Sequence, residues 1–440
     1  MGKNEFNQYG HKTLGIYVNG FPDPSNTYVV NELVQMLKRG LNVKLYTSSL
    51  LDVEMFPQLH TYIERDKLQL IDIIDAGVWK WSFADEHKIP MFDNRWKQKM
   101  MNEPVAHERW WNEHKVYNDC APAFKEFAKM VIDHGVQALY TPFAGTDATV
   151  LSMLSKCTGL PWYFFCHAQD LFTHMFDFTR VKLSTAAGIF CISEYNKKYI
   201  LEQGRLALPD PRFTEDRKSL PDKVHIRRVN HYQEPEIDSI RPWYEGFKYI
   251  YGAGRICEMK GYEHSLRAFK RVTNKFPDLH YIITGGGERH DVERLEKIIK
   301  ELEIDDKVHL KGHITNTEVI SHIKGAEFTL LTSIITDDGD KEGLPTFFVE
   351  SMFQSTPVIG TDYSGIPDII EHGVNGMLCD PKAQWDIGDA MIHLLKTKEN
   401  KPDEWEKMCN AARKTAETKF DNETNIDIFL SNIFNETKSY

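Results

Sequence analysis

The stretch Phe328-Thr-Leu-Leu331, continued after a loop by Glu342-Gly-Leu-Pro-Thr-Phe-Phe-Val-Glu350 and then by Pro357-Val-Ile-Gly360, decides the fold class of this chain. Its two short apolar runs are typical of buried strands. The segment between them, Thr346–Gln354, has the amphipathic pattern of a helix. Strand and helix in alternation indicate a parallel sheet with helices on both faces.

The same alternation runs through most of the chain, with amphipathic segments such as Asn26–Lys38 and Glu263–Asn274 between apolar runs. The first series of predicted strands comprises Thr13–Val18, Val43–Tyr46, Leu68–Ile74, Ala138–Tyr140, Trp162–Cys166 and Gly188–Ile192. The second comprises Tyr249–Gly252, His280–Thr284, Val308–Lys311, Phe328–Leu331 and Pro357–Gly360. Each series is too long to share one sheet with the other. The sequence therefore predicts an α/β protein with two doubly wound, Rossmann-like domains.

The boundary between the domains is predicted within Pro209–Tyr244, which holds five prolines among many charges. We place the first domain at residues 1–220 and the second at 221–420, with Val224–Asn230 as the first strand of the second. Residues 421–440 are predicted as a helical tail. The tryptophan-rich segment 79–122 fits no simple β-α unit and is predicted as an insertion in the first domain.

Composition excludes several classes of protein. The 440 residues carry 53 Lys and Arg against 64 Asp and Glu, a net charge of −11, which argues against nucleic-acid binding. The seven cysteines are odd in number and form no C-x-x-C, which is typical of reduced thiols and not of disulfides or zinc. The polar N-terminus and the lack of 18 consecutive apolar residues predict a cytoplasmic protein with neither signal peptide nor membrane span.

Two carboxylates mark the first candidate site. Glu342 lies in a loop before a predicted helix, and Glu350 lies about two turns along that helix. The free N–H groups and the positive dipole at a helix start favour phosphate, while carboxylates accept hydrogen bonds from sugar hydroxyls. By themselves, the two glutamates are equally compatible with solvated surface charges.

Two glycine-rich segments follow strands of the second series. Gly252-Ala-Gly-Arg-Ile-Cys-Glu-Met-Lys-Gly261 places Arg255 and Lys260 where they can meet a diphosphate near a helix start. Thr284-Gly-Gly-Gly-Glu288 lets the backbone approach a ligand. Each segment is a weak signal alone, because exposed Arg and Lys are common.

Taken in order, these segments resemble the retaining GT-B glycosyltransferases of the large glycosyltransferase family 4, whose E-x7-E motif matches the spacing from Glu342 to Glu350. Pro357–Pro367 and Glu371–Pro381 match the segments that follow in that family. In the first half, Phe21-Pro-Asp-Pro-Ser-Asn-Thr-Tyr28 and Cys166-His-Ala-Gln-Asp-Leu171 resemble the colanic-acid and amylovoran type of exopolysaccharide glycosyltransferases. Asn26 and Tyr28 depart from the Glu and Phe of that type.

The resemblance implies a GT-B fold, in which two Rossmann-like domains face each other across a cleft and a C-terminal helix returns to the first domain. It implies catalytic roles for His167, Arg255, Lys260 and Glu342. It implies donor-binding roles for Gly254, Gly286, Gly343, Leu344 and Glu350. Acceptor contacts are predicted for Ser25, Thr27 and Asp170, and for Trp110 and Trp111, whose rings either stack on sugars or pack the insertion onto the domain.

The implied activity is retaining transfer of a hexosyl group from a UDP- or GDP-sugar to a glycan, lipid-linked or small-molecule acceptor. The resemblance implies no metal and no other cofactor, because Arg255 and Lys260 serve the diphosphate. Asp338-Gly-Asp340 spells a metal-binding D-x-D motif, but we interpret it as an acidic loop. A peripheral contact at the inner face of the membrane is also predicted, with no nucleic-acid partner.

Other functions remain open at this level. A Rossmann oxidoreductase is disfavoured, because Cys257 and His290 stand where a third glycine of G-x-G-x-x-G belongs. A sugar-nucleotide 2-epimerase shares the GT-B architecture and binds similar donors. A non-catalytic protein that binds nucleotide sugars or glycans is the third alternative.

Overall fold

The chain divides into two compact units in the computed structural model. The structure describes residues 9–23, 27–74, 76, 124–172, 179–207, 214–228, 237–244, 246–337, 339–381 and 383–434. The first unit lies within Met1–Ile192, Asn196–Asn230 and Asn422–Tyr440, and the second within Ser193–Tyr195 and His231–Asp421.

The first unit is built on a seven-stranded parallel sheet in the order β3-β2-β1-β4-β5-β6-β7. Ile16 on the central strand pairs with Leu45 on one side and with Tyr140 on the other. The strands are β1 (Thr13–Tyr17), β2 (Asn42–Thr47), β3 (Leu68–Asp72), β4 (Ala138–Thr141), β5 (Trp162–Cys166), β6 (Gly188–Cys191) and β7 (Val224–Ile226). The helices are α1 (Thr27–Lys38), α2 (His60–Glu64), α3 (Lys125–Asp133), α4 (Thr146–Thr158), α5 (Gln169–Phe172), α6 (Thr179–Thr185), α7 (Glu194–Ala207) and α8 (Thr214–Lys223).

The second unit has a six-stranded parallel sheet in the order β10-β9-β8-β11-β12-β13. Its strands are β8 (Lys248–Ala253), β9 (Leu279–Thr284), β10 (Val308–Leu310), β11 (Thr329–Leu331), β12 (Val358–Thr361) and β13 (Gly376–Cys379). Its helices are α9 (Tyr262–Thr273), α10 (Arg289–Glu301), α11 (Asn316–Gly325), α12 (Thr346–Phe353), α13 (Gln384–Asn400) and α14 (Pro402–Lys419). The strand order reverses between β8 and β11, and a crevice forms at such a point beyond the carboxyl ends of the strands.

The local sequence explains why these elements form. Strands such as β5 are buried along their whole length, as expected for parallel strands covered on both faces. α9 buries Leu266, Phe269 and Val272, which lie on one face of the helix. The eleven predicted strands are all found, to within two residues at each end. The predicted α/β class with two Rossmann-like domains is therefore confirmed.

One strand assignment is wrong. Val224–Asn230 was predicted to begin the second domain, but β7 (Val224–Ile226) pairs with β6 and completes the first sheet. The strand ends before Arg227, whose side chain is fully buried and forms an ion pair with Glu32. β13 was not predicted as a strand.

A final helix, α15 (Asn422–Phe434), belongs to the first unit and packs against α1. Arg39 Nε donates to Asp427 Oδ1 at 2.6 Å, and Tyr163 OH donates to the carbonyl of Ile433 at 3.2 Å. The ring of Phe429 lies 4.6 Å from that of Tyr140. The predicted C-terminal helix is present.

A buried ion pair lies beneath α15. Arg227 NH2 is 2.8 Å from Glu32 Oε2, and the side chains are 0% and 4% exposed. The guanidinium carbon of Arg227 lies 4.9 Å from the ring centre of Phe165 and 4.4 Å from that of Phe429. The pair thus links α1, the end of β7 and α15.

Two further findings concern the described part of the chain. No helix in it is both long enough and apolar enough to cross a bilayer. Its cysteines are free thiols.

We expect Glu32→Gln to lower the free energy of unfolding of the first unit by about 3–5 kcal/mol, because it leaves Arg227 charged and buried without its partner. Urea unfolding followed by tryptophan fluorescence measures this effect. Glu301→Gln is the matched control, since Glu301 pairs with Lys297 at a site where the two side chains are 53% and 76% exposed. Equal midpoints for the two variants would contradict the structural importance of the buried pair.

Candidate functional site

The best-defined site lies in the second unit, where the strand order reverses. The loop after β8 carries Gly254, Arg255 and Lys260, and the loop after β11 carries Glu342. Because the carboxyl ends of parallel strands meet at one edge of the sheet, these two loops are neighbours. The structure therefore places four of the predicted site residues on adjoining loops.

An ion pair joins the two loops. Lys260 lies in a short 3-10 turn, Glu258–Lys260, and its Nζ is 2.5 Å from Glu342 Oε2. The two side chains are only 15% and 12% exposed. A cation predicted to meet a diphosphate and a carboxylate predicted to bind a sugar thus neutralise each other in the absence of a ligand.

The backbone around Glu342 is held firmly. Its N–H donates to Tyr363 OH at 3.4 Å, and its carbonyl accepts from Ser364 Oγ. Tyr363 OH donates in turn to the carbonyl of Ile334 at 3.0 Å. Gly365 N–H donates to the carbonyl of Gly343 at 3.1 Å. These bonds fix the loop that leads into α12.

The start of α12 has no side-chain cap. Gly343 and Leu344 are buried, and Pro345 occupies the N-cap without any side-chain capping bond. Amide groups at such a helix start suit an anion. Glu350, further along α12, is half-buried. The pKa of Tyr251 on β8 is raised, mainly by burial and also by the nearby Glu350 carboxylate.

The glycines after β8 and β9 allow a close backbone contact. Gly285 has φ of 127°, and a Cβ there would lie 2.0 Å from the carbonyl oxygen of Gly254. Ile256 N–H donates to the carbonyl of Gly286 at 2.7 Å. Larger residues at position 285 would separate the two loops.

Arg255 projects from this glycine framework and is exposed. It lines two cavities of about 610 and 390 Å³. The larger is also lined by Gly254, Ile256, Cys257, Gly285, Gly286, Gly287, Glu288, Asp291 and His313. The smaller is also lined by Cys257, Glu258, Met259, Asp291, Thr336, Asp337 and Asp340. Arg255 is therefore available to an anionic ligand in either space.

The acidic loop before Glu342 forms hydrogen bonds within itself. Asp340 Oδ1 accepts from the N–H of Lys341 at 2.9 Å, and the Asp340 carbonyl accepts from the N–H of Thr336 at 3.0 Å. Asp338 lies outside the described residues. Within the ranges that the structure describes, no group of three or more His, Cys, Asp or Glu could hold a metal ion.

A second cluster of predicted residues lies in the first unit, at the end of β5. His167 N–H donates to Asp170 Oδ1 at 2.9 Å, and Nε2 of the ring contacts the carbonyl of Pro142 at 3.1 Å. Burial, reinforced by the positive charge of Arg227, lowers the pKa of His167 to about 3. The ring of Tyr28 is 4.6 Å away. His167 is consequently neutral near pH 7.

Asp170 forms a hydrogen bond with the loop after β4. Its Oδ2 accepts from the N–H of Ala144 at 3.0 Å, and burial raises its pKa to about 6. Lys182 and Asp147, which the sequence analysis missed, lie around the same loop. Lys182 Nζ donates to the carbonyls of Ala144 and Gly145 at 2.8 and 2.9 Å, and burial raises the pKa of Asp147 to about 6.

Four predicted acceptor contacts cannot be placed. Ser25, Trp110 and Trp111 lie outside the described residues, as does the whole of the 79–122 insertion. Thr27 is the first residue of α1, but its side chain is also outside the described part. Their roles stay predictions.

Sequence comparison agrees with the resemblance described above. Residues 233–415 match the family model described as "Glycosyl transferases group 1". The amylovoran biosynthesis glycosyltransferase AmsK of Erwinia amylovora is 29% identical over 194 residues, which are 42% of this chain and 47% of AmsK. The putative colanic acid biosynthesis glycosyltransferase WcaL of Salmonella typhimurium is 28% identical over 199 residues, with the same shares of 42% and 47%. The chain thus spans less than half the length of these curated relatives.

Similar solved structures extend over nearly the whole chain. The HepE protein of Anabaena in complex with UDP has a TM-score of 0.65 at 14% identity, covering 97% of this chain and 100% of HepE. HepE in complex with UDP-glucose has a TM-score of 0.59 at 13% identity, covering 96% and 100%. A glycosyltransferase from Rickettsia africae has a TM-score of 0.65 at 14% identity, covering 97% and 99%. At these identities the likeness is one of fold, and it confirms the predicted GT-B class.

We expect His167→Gln to flatten the dependence of unfolding free energy on pH below neutrality. The pKa of His167 is lowered from 6.5 to about 3, so the unfolded chain binds more protons between these values. The contribution of His167 to the free energy of unfolding is therefore fully present above pH 6.5. It decreases as the pH falls, by about 2 kcal/mol at pH 5. Urea unfolding at pH 7 and pH 5 measures the change.

The difference between wild type and variant isolates this effect. Asp147 and Asp170 have raised pKa values, so their pH dependence has the opposite sign. Their contribution to the free energy of unfolding decreases as the pH rises from about 4 to about 6. Both aspartates are present in both proteins, so their contribution cancels. A wild type and variant with parallel pH profiles would contradict a neutral, partly buried His167.

Proposed function

We propose that this chain, whose second domain is a glycosyl transferases group 1 domain, is a retaining glycosyltransferase that moves a hexosyl group from a nucleoside-diphosphate sugar to an acceptor hydroxyl. The observation that carries the proposal is the Lys260–Glu342 pair beside the uncapped start of α12. It combines a phosphate-binding cation, a sugar-binding carboxylate and free amide groups at one sheet edge. This combination suits a ligand that contains both a diphosphate and a sugar.

The cations would stabilise the leaving group. As the bond from the sugar to the diphosphate breaks, negative charge develops on the phosphate oxygens, and preorganised positive charge lowers the barrier. Arg255 is exposed at the cavities, and Lys260 lies in the neighbouring turn, Glu258–Lys260. When phosphate replaces Glu342 as the partner of Lys260, the carboxylate becomes free to accept a hydrogen bond from a sugar hydroxyl. Glu350 would bind the ribose hydroxyls.

The stereochemical part of the proposal is retention by front-face attack. This route aligns the acceptor and donor on one face of the sugar and needs no covalent nucleophile from the protein. We therefore assign Glu342 to binding the sugar. His167, neutral and beside Asp170, would contact the sugar or acceptor from the first domain.

We propose a UDP-sugar as the donor and a growing exopolysaccharide or its lipid-linked precursor as the acceptor. Support for UDP comes from HepE, which is solved with UDP and with UDP-glucose. Support for the acceptor comes from relatives named for the synthesis of amylovoran and colanic acid. Location in the cytoplasm and a peripheral contact at the membrane stay predictions, since the aromatic and basic segment behind that contact lies outside the described residues.

A transfer assay tests the activity. Release of UDP or GDP from the sugar nucleotide, measured with and without a glycan acceptor, distinguishes three outcomes. Release that depends on the acceptor supports transfer, release without acceptor indicates hydrolysis or epimerase-type chemistry, and binding without release indicates a non-catalytic protein. The anomeric proton signals of donor and product, followed by NMR, test retention.

We expect Arg255→Ala to lower turnover at least tenfold, because a lost charge-assisted contact to phosphate is worth about 1.5–3 kcal/mol and tenfold is about 1.4 kcal/mol. Steady-state rates at fixed donor concentration measure this. Since Arg255 is exposed, the unfolding midpoint of the Arg255→Ala variant should match that of the wild type. Arg289→Ala is the control, because Arg289 is 91% exposed and lines neither cavity.

Lys260→Ala should lower turnover by at least the same factor, with some loss of stability from the unpaired Glu342. Lys260→Met, which keeps the length of the side chain, separates packing from charge. Near-normal rates in the Arg255 and Lys260 variants would mean that neither residue contributes to catalysis.

We expect activity to survive excess EDTA, because protein cations serve the diphosphate in this proposal. The measurement is the rate of nucleotide release before and after chelation. Loss of activity that manganese or magnesium restores would contradict metal independence and would implicate Asp338 and Asp340 of the D-x-D motif.

A further inference from the structure

The three glycines that follow β9 each contact a different neighbour. Gly285 packs against the backbone of Gly254, and Gly287 forms a β-bridge with Ile256. Gly286 instead contacts a side chain, the imidazole of His313. The turn therefore binds two backbone neighbours and supports one aromatic ring.

The imidazole of His313 rests on this turn. A Cβ built on Gly286 would lie 2.1 Å from Nε2 of His313, 2.5 Å from Cδ2 and 2.9 Å from Cε1. Three atoms of the ring thus occupy the space that any side chain at position 286 would need. The backbone beside His313 is fixed as well, because the carbonyl of Gly312 accepts from the N–H of Gly285 at 2.7 Å.

The imidazole is also available to a ligand. His313 is exposed, and the residues that the structure describes give it no hydrogen bond, ion pair or ring contact. It lines the cavity of about 610 Å³ that Arg255 also lines. One space therefore contains a cation suited to phosphate and a flat ring suited to stacking.

We infer that His313 is the platform on which the base of the donor nucleotide stacks, and that position 286 is glycine because a side chain would displace this ring. The inference rests on the proposed function, since the donor nucleotide supplies both a diphosphate for Arg255 and a planar base. Stacking uses the π face that every base has, so it contributes affinity whichever base is present. His313 thereby extends the site beyond the residues that the sequence indicated.

Binding measurements with and without a base test this inference. The probes are UDP, GDP and inorganic pyrophosphate, each titrated by calorimetry into wild type, His313→Ala, His313→Phe and His290→Ala. We expect His313→Ala to weaken binding of the preferred nucleoside diphosphate about tenfold, or about 1.4 kcal/mol, and to change pyrophosphate binding by less than about twofold. His313→Phe restores the stacking surface and should recover most of the affinity.

The control residue, His290, has a side chain that is 80% exposed and does not line the cavity. Its alanine variant should bind all three probes as the wild type does. A loss of pyrophosphate binding in His313→Ala would overturn the inference, because it would mean that the ring merely supports the loops. Failure of His313→Phe to recover affinity would also contradict stacking.

A double-mutant cycle tests the role of Gly286. Gly286→Ala in the wild type should weaken UDP or GDP binding, because the new methyl group collides with the imidazole. In the His313→Ala background the collision is absent, so Gly286→Ala should add little. Additive losses would show that the two positions act independently and would overturn the proposed link between them.

The outcomes separate the two proposals. A wild type that binds neither nucleoside diphosphate nor pyrophosphate contradicts the proposed function and this inference together. A wild type that binds UDP or GDP, with His313→Ala binding equally well, leaves the proposed function intact and overturns this inference alone.

Discussion

The ion pair between Lys260 and Glu342 determines how the site of the second unit is built. It joins the loop after β8 to the loop after β11 at the point where the strand order reverses. Both side chains are largely buried, where an unpaired charge would be costly, and each charge has the other as its partner. The network from Tyr363 and Ser364 then fixes the backbone that carries Glu342. In the proposed function, a phosphate that binds Lys260 would take the place of the Glu342 carboxylate as its anionic partner.

The polar cluster of the first unit differs from this site, because burial shifts the pKa values of its groups. Burial lowers the pKa of His167, which is neutral near pH 7, and raises the pKa values of Asp147 and Asp170 to about 6. Lys182 contributes a buried charge whose hydrogen bonds go to backbone carbonyls of the loop after β4. The two units therefore have similar sheets but different site chemistry, with a close ion pair in one and pKa values shifted by burial in the other.

Most of the fold could be predicted because parallel strands are apolar along their length, and this pattern is local. β7 was assigned to the wrong sheet because it has only three residues and is followed by Arg227, whose burial involves the distant Glu32 and Phe429. The loops that carry Arg255, Lys260 and Glu342 could be placed from the sequence because they follow predicted strands. His313 was missed because its one signal, a glycine whose missing side chain makes room for the ring, lies on another strand's turn. Contacts of this kind depend on tertiary structure.

The position of α15 has a consequence for biosynthesis. This helix completes the first unit, yet it is encoded after the whole of the second. While the ribosome is still translating the second unit, the first unit lacks Phe429 over the guanidinium of Arg227 and lacks the Asp427 partner of Arg39. Domains generally fold as units during synthesis, in order from the N-terminus. Here the nascent first unit must wait, with part of its apolar surface uncovered, until the last helix emerges from the exit tunnel, and chaperones have the whole of that interval in which to bind it.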